Sequence, residues 1–152
     1  MINCTFKLND QPMSTLKCGA TSYDAYSGLD AHRNKKMSVC IPGKGPIPTG
    51  IYYIIDRQSG GLLGPLRDLF SGKANWFALY AIDNKVDDST FCEKVKRGQF
   101  RIHPEGPLGI SQGCVTFKKQ SDFTLFSSIV KNAPKTMIPG TSIESYGKLT
   151  VL

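Results

Sequence analysis

The stretch RIHPEGPLGISQGCVTF (residues 101–117) brings His103, Ser111, Gly113 and Cys114 into one short span. A thiol attacks carbonyl carbon as its thiolate, and a free cysteine has a pKa of about 8.5, so it needs a base or a cation beside it. An imidazole can fill either role. Glycine before the cysteine lets the backbone turn sharply. The N–H groups of Gly113 and Cys114 are then candidates for an oxyanion hole. Ser111 is a candidate to position the loop or to hold substrate. The opposing reading is a core thiol and a strand-end histidine that are neighbours by accident.

The chemistry requires the pair to meet in space. QFRIH reads as a strand ending at His103, PEGPLGISQG as a turn-rich return and CVTF as the next strand. This arrangement sets His103 and Cys114 against each other on neighbouring strands. Order argues against papain-like enzymes, in which cysteine precedes histidine and opens a helix. The second histidine of the chain, His32, sits in the polar stretch LDAHRNKK and reads as a loop residue.

The rest of the chain supplies the elements that must position this pair. CTFKL, MSVCI, GIYYIID, NWFALYAI, GQFRIH, GCVTF and KLTVL are short, rich in β-branched and aromatic residues, and mostly bounded by turn formers. They predict a mostly β fold. GPLRDLFSG predicts a short helix. SDFTLFSSIVKN predicts a better one, capped by Ser121, with Phe123, Phe126, Ile129 and Val130 near helical spacing. With 152 residues, the chain reads as one domain over residues 1–152, in which residues 1–25 form an added strand pair.

Charge and cysteine count limit the partners. A net charge of +7 suits nucleic acid or an acidic polymer. The densest clusters (Arg33, Lys35 and Lys36; Lys94, Lys96 and Arg97) are short and carry no interleaved aromatics, so they read as solvated loops and no nucleic-acid partner is expected. No apolar run approaches the roughly 20 residues of a membrane helix, so no membrane insertion is expected. The start, MINCTFKLND, has no signal-peptide pattern. Five cysteines without a C-x-x-C pair, with two histidines, give no zinc pattern. The adjacent Asp87 and Asp88 are too few ligands for a calcium site. No metal and no cofactor is expected. The odd count suits two disulfides among Cys4, Cys18, Cys40 and Cys92 with Cys114 free; five reduced thiols is the other reading.

The pattern H-x(7)-S-x-G-C-V resembles the signature of L,D-transpeptidases, the cysteine enzymes of peptidoglycan cross-linking. GPIPTGIYYI (residues 45–54) resembles the Pro-Thr-Gly turn and strand upstream in that family. More closely, the order SG, GPIPTGIYYI, DRQSGG, WFALY, DD, RGQFRIHP and SQGC resembles the L,D-transpeptidase effectors of type VI secretion systems. The resemblance implies a single-domain L,D-transpeptidase-like β-sandwich with one or two short helices. It implies cleavage of tetrapeptide stems between meso-diaminopimelate and the terminal D-alanine, exchange of that D-alanine for another D-amino acid, or both. Cys114 is then the nucleophile and His103 the general base. The implied partners are peptidoglycan tetrapeptide stems, the secretion apparatus and a cognate immunity protein. The implied place of action is the periplasm of a target cell, reached without a cleaved signal peptide.

Two departures stand out. Gln112 occupies the place where housekeeping members usually carry histidine before Gly-Cys. Val115-Thr116-Phe117 stands where they often carry an arginine thought to bind the substrate carboxylate. Arg101, two residues before His103 and so on its face of the strand, is the candidate replacement; a surface salt bridge is its other reading. Tyr52 and Tyr53 point to opposite faces, so at most one lines the cleft, with Tyr53 the candidate. Trp76, Phe77 and Tyr80 read more readily as core, with Trp76 also a candidate substrate shelf. Readings from other classes are a basic cell-wall or acidic-partner binding module and a cysteine peptidoglycan amidase.

Overall fold

The computed structural model describes residues 1–57, 75–106, 109 and 111–152. Its strands are β1 (Ile2–Phe6), β2 (Ser14–Cys18), β3 (Thr21–Tyr26), β4 (Gly50–Asp56), β5 (Phe77–Ala81), β6 (Ser89–Cys92), β7 (Val95–Gly98), β8 (Arg101–Pro104), β9 (Val115–Phe117), β10 (Thr136–Met137), β11 (Glu144–Ser145) and β12 (Gly147–Val151). One α-helix, α1 (Gln120–Lys131), follows β9. Eight strands close into a barrel in the order β1-β12-β4-β5-β8-β9-β3-β2, and β6-β7 and β10-β11 form two separate hairpins.

Alternation along the strands explains the closure. Phe6, Leu16, Tyr23, Ala25, Ile54, Leu79, Ile102, Val115, Phe117 and Leu149 all point inward and form one buried cluster. Helix α1 adds Phe123, Phe126 and Val130 to that cluster. Their spacing of three and four residues puts them on one face. The Phe126 ring lies 5.0 Å from that of Phe117 and 5.8 Å from that of Phe77, an aromatic junction that fixes the helix against β9 and β5.

The mostly β fold and a helix at 120–131 agree with the sequence. The sheet expected as a sandwich is closed into one barrel. Residues 1–25 are integral to it: β1 runs parallel to β12, and β2 pairs with β3. A side chain at Gly147 has no room, because its Cβ would lie 1.8 Å from the Ile2 carbonyl oxygen. MSVCI is not a strand; it contains a 3₁₀ turn, Lys36–Ser38, and further turns. Ser121 lies inside α1, which starts after Lys119 without a side-chain cap, and Ile129 faces solvent. The expected helix GPLRDLFSG and most of DRQSGG lie outside the described residues.

Two disulfides form, Cys4–Cys18 and Cys40–Cys92, and Cys114 is the free thiol. The first joins residues directly opposed on β1 and β2. The second ties the turns before β4 to the β6–β7 hairpin across a sequence separation of 52. Loop-closure entropy grows with that separation. Removing Cys40–Cys92 by paired serine substitution is expected to cost about 4 kcal/mol, and removing Cys4–Cys18 about 3 kcal/mol. Urea unfolding under non-reducing conditions measures both. A Cys40/Cys92 variant as stable as the wild type would contradict the pairing.

Candidate active site

β8 and β9 run parallel, with Ile102 opposite Val115 and His103 opposite Thr116. Ile102 and Val115 face the core, so their neighbours Arg101, His103, Cys114 and Thr116 share the outer face. Extending the registers to β5 and β3 gives two rows across this face. One reads Trp76, His103, Thr116, Tyr26; the other reads Ala78, Arg101, Cys114, Gly28. His103 and Cys114 are thus diagonal neighbours on adjacent strands, with Cα atoms roughly 8 Å apart by ideal sheet geometry, a span an imidazole can bridge.

The imidazole is buried and held on two sides. Nδ1 lies 2.7 Å from the carbonyl oxygen of Pro104. That acceptor requires the proton on Nδ1 and leaves the lone pair on Nε2. Trp76, half-buried, stacks on the ring at 4.3 Å between centroids and 20° between planes. An indole face attracts a cation placed over it.

The turn carrying Cys114 is built on glycine. Gly113 has φ +107°, and a Cβ there would lie 2.7 Å from Nη2 of Arg97 and 2.9 Å from the Phe100 ring. Ser111, fully buried, donates to the Cys114 carbonyl at 2.7 Å and accepts from the Gly28 N–H at 3.3 Å. Its hydroxyl therefore ties the Cys114 turn to the end of β3. Gln112 is exposed.

Cys114 is half-buried, and its Sγ lies 3.9 Å from the Gln99 carbonyl oxygen. Burial pushes the thiol above its ordinary value; the Arg101 main-chain N–H and guanidinium oppose that rise, and Asp88 adds to it. The thiol therefore rests protonated at neutral pH.

Arg101 is gripped by Asp88 through two hydrogen bonds, at 2.7 and 2.6 Å. Burial works against its charge, but this fork outweighs it and its pKa rises. Arg101 thus stands beside Cys114 in the salt bridge that was its other reading. Tyr53 shares the outer face but pairs with Tyr80 on β5, three strands from Cys114. His32 sits in a 3₁₀ turn with Nδ1 2.9 Å from the Ser38 hydroxyl. Asp87 accepts from the Ser89 N–H and hydroxyl, closing the turn into β6.

Three groups escaped the sequence reading. Arg97, expected in solvent, is buried; its guanidinium donates to the carbonyls of Val39, of Gly45 at 3.0 Å and of Pro46 at 3.3 Å. It welds the GPIPTG turn to the floor beneath Gly113. Arg33, also expected in solvent, lies 3.9 Å over the Tyr26 ring and donates to the Gly109 carbonyl at 3.0 Å. The third is Thr116, completely buried between His103 and Tyr26, whose hydroxyl has no hydrogen-bond partner among the described residues. Such a group costs about 1–3 kcal/mol.

A free thiol thus follows a glycine turn, and an anchored imidazole sits on the neighbouring strand. The model of the Tlde1 domain matches residues 21–141. The chain belongs to the Tlde1 domain family. This family comprises type VI secretion effectors with L,D-transpeptidase activity, which act on the peptidoglycan of a target cell. No curated protein and no solved structure matches the chain. Within the Tlde1 domain, the matched span holds the whole outer face described above, and β1, β2 and β12, which lie outside it, complete the barrel.

Alkylation tests the electrostatics. Iodoacetamide on unreduced protein should label Cys114 alone, at a rate still climbing above pH 9 because burial raises the thiol. Arg101→Gln removes the favourable cation and should move the profile to higher pH. Asp88→Asn removes the opposing anion and should move it lower. Mass spectrometry of the labelled peptide reads all three, and identical profiles would refute the assignment.

Proposed function

We propose that this Tlde1-domain protein is a cysteine L,D-carboxypeptidase and L,D-transpeptidase, with Cys114 as nucleophile and His103 as general base. The observation that carries the reading is the shared face of β8 and β9, where the free thiol lies diagonal to an imidazole whose Nδ1 is already engaged. Nε2 takes the thiol proton as Sγ attacks the diaminopimelate carbonyl. The N–H groups of Gly113 and Cys114 receive the oxyanion. His103 returns the proton to the departing D-alanine amine, leaving a thioester on Cys114. Water releases the shortened stem, or a D-amino acid amine replaces the lost residue.

The surface around the thiol suits a peptide stem. A cleft of about 390 Å³ is lined by Asp87, Asp88, Lys96, Gly98 and Gln99, and the Gln99 carbonyl lies 3.9 Å from the Cys114 Sγ. The Arg101–Asp88 pair stands at its edge, so a substrate carboxylate would compete with Asp88 for the guanidinium. Trp76, behind His103, offers an apolar wall. Two disulfides suit an oxidising compartment such as the periplasm. The secretion apparatus and an immunity protein are the partners such an effector requires.

Release of D-alanine from a tetrapeptide muropeptide tests the chemistry. Cys114→Ala should abolish it and His103→Ala should lower it ~10²–10⁴-fold, with melting temperatures close to wild type. The double variant should be little worse than Cys114→Ala, because the two act as a unit. A folded, active Cys114→Ala protein sinks the reading. Place of action has its own test: cytosolic expression should be tolerated, and expression with an added export signal should damage the cell wall. Equal toxicity in both compartments would argue for a different target.

A further inference from the structure

The cleft of about 390 Å³ is lined by Asp87 and Asp88 from the turn before β6, and by Lys96, Gly98 and Gln99 from β7 and its end. Two contacts join it to Cys114. The Gln99 carbonyl lies 3.9 Å from Sγ, and Asp88 forks onto Arg101, the neighbour of Cys114 on the outer face. The charges of the cleft have both signs and differ in how far they are engaged. Asp88 is held by Arg101, and Arg97 by the carbonyls of Gly45 and Pro46. Asp87 is oriented by Ser89, whose N–H and hydroxyl both donate to Oδ1 at 2.9 and 3.0 Å. Its Oδ2 has an ion pair at 3.3 Å with Lys85, a side chain 83% exposed. Such a pair contributes little and yields readily to a ligand. Lys96 is exposed and has no hydrogen bond or ion pair among the described residues. A fixed carboxylate and an unengaged ammonium lining one cavity suit a ligand that carries both an ammonium and a carboxylate.

We propose that this cleft takes the free end of the diaminopimelate side chain, with Asp87 receiving its ammonium and Lys96 its carboxylate. The inference rests on the acyl-enzyme reading given above and names the groups that select the stem. Diaminopimelate has an amino and a carboxyl group at the far end of its side chain; lysine has the amino group alone. Four carbon–carbon bonds separate Cα from the carbon that bears both groups, about 5 Å when extended. With the acyl carbon at Sγ, that length carries the side chain past Gln99 and into the cleft. An incoming D-amino acid does not fit the same place. It attacks through its nitrogen, which must then lie at the acyl carbon, and only its carboxylate remains to be bound. A stem already cross-linked through its side-chain amine carries a neutral amide there. Asp87 then meets no ammonium, so the cleft favours stems whose amine is free.

The test measures kcat/KM for D-alanine release from three tetrapeptide muropeptides. One is the diaminopimelate stem, one the same stem amidated on the side-chain carboxyl, and one the same stem acetylated on the side-chain amine. Wild type should favour the first about tenfold over each of the others, the size of one charge-assisted contact. Lys96→Met should remove the preference over the amidated stem and keep that over the acetylated one. Asp87→Asn, which retains the Oδ1 acceptor for Ser89, should do the reverse. Such matched losses form a double-mutant cycle between side chain and substrate group, which a folding defect would not reproduce. Lys94→Met removes a charge from the same hairpin outside the cleft and should change neither ratio. If wild type uses all three stems equally, or if Lys96→Met and Asp87→Asn lower all three alike, the cleft assignment is overturned and the Cys114–His103 reading stands. If Lys94→Met shifts the ratios as Lys96→Met does, long-range charge is the cause and the assignment is overturned as well. A wild-type chain that neither releases D-alanine from the diaminopimelate stem nor gains the acyl mass overturns the underlying reading and this inference with it.

Discussion

The parallel pairing of β8 with β9, in one register, is the constraint on which the site depends. Ile102 and Val115 turn into the core together, so the residues on either side of each must turn out together. A slip of one residue would send Cys114 into the barrel and expose Val115, at the cost of a buried aliphatic side chain. Parallel neighbours usually require a crossover of a dozen or more residues. Here residues 105–114 make the connection, and the constraint falls on its two ends. Glu105 anchors one end, its main-chain N–H on the Phe117 carbonyl at 2.8 Å and its carboxylate on Tyr26 and Lys118. Ser111 and the Gly113 turn anchor the other.

Those anchors come from distant parts of the chain. Arg97, on β7, reaches the carbonyls of the turn before β4, and its guanidinium closes the space beneath Gly113. The Cys40–Cys92 disulfide joins the same two segments by a covalent route. Tyr26, at the end of β3, takes Glu105 through its hydroxyl and Arg33 on its ring. In the proposed reaction, a thiol fixed by turns this well tied needs little reorganisation when the transition state forms. Charge around it is balanced as well. Asp88 satisfies Arg101 in a fork and partly offsets the help that the cation gives the thiolate. The protonated resting thiol follows from burial working against two weaker favourable contacts.

The residues proposed to carry chemistry stand out in the sequence because their types are rare in this chain and their spacing is short. Cys114 stood out as the odd cysteine after a glycine, and His103 as one of two histidines, at the end of an alternating run. The strands were legible from β-branched and aromatic runs between turn formers, and MSVCI misled because apolar composition without alternation does not specify extended backbone. Arg97 and Arg33 were misjudged because a basic residue in a loop is solvated unless carbonyls or a ring converge on it, and convergence is a property of the folded chain. Thr116 carried no local signal at all: its interest comes from what burial withholds from its hydroxyl.

The sequence by itself determined a mostly β chain, its helix at 120–131, and the two side chains suited to thiol chemistry. These depend on periodicity and residue type, which local physics reads within a few neighbours. Tertiary structure alone decided that the sheet closes, that β1 and β2 are part of it, which cysteines pair, and that Arg101 meets Asp88. It also set His103 and Cys114 on one face as diagonal neighbours. Each of these is a contact between segments far apart in sequence, and strand order is selected by the burial of the whole core at once.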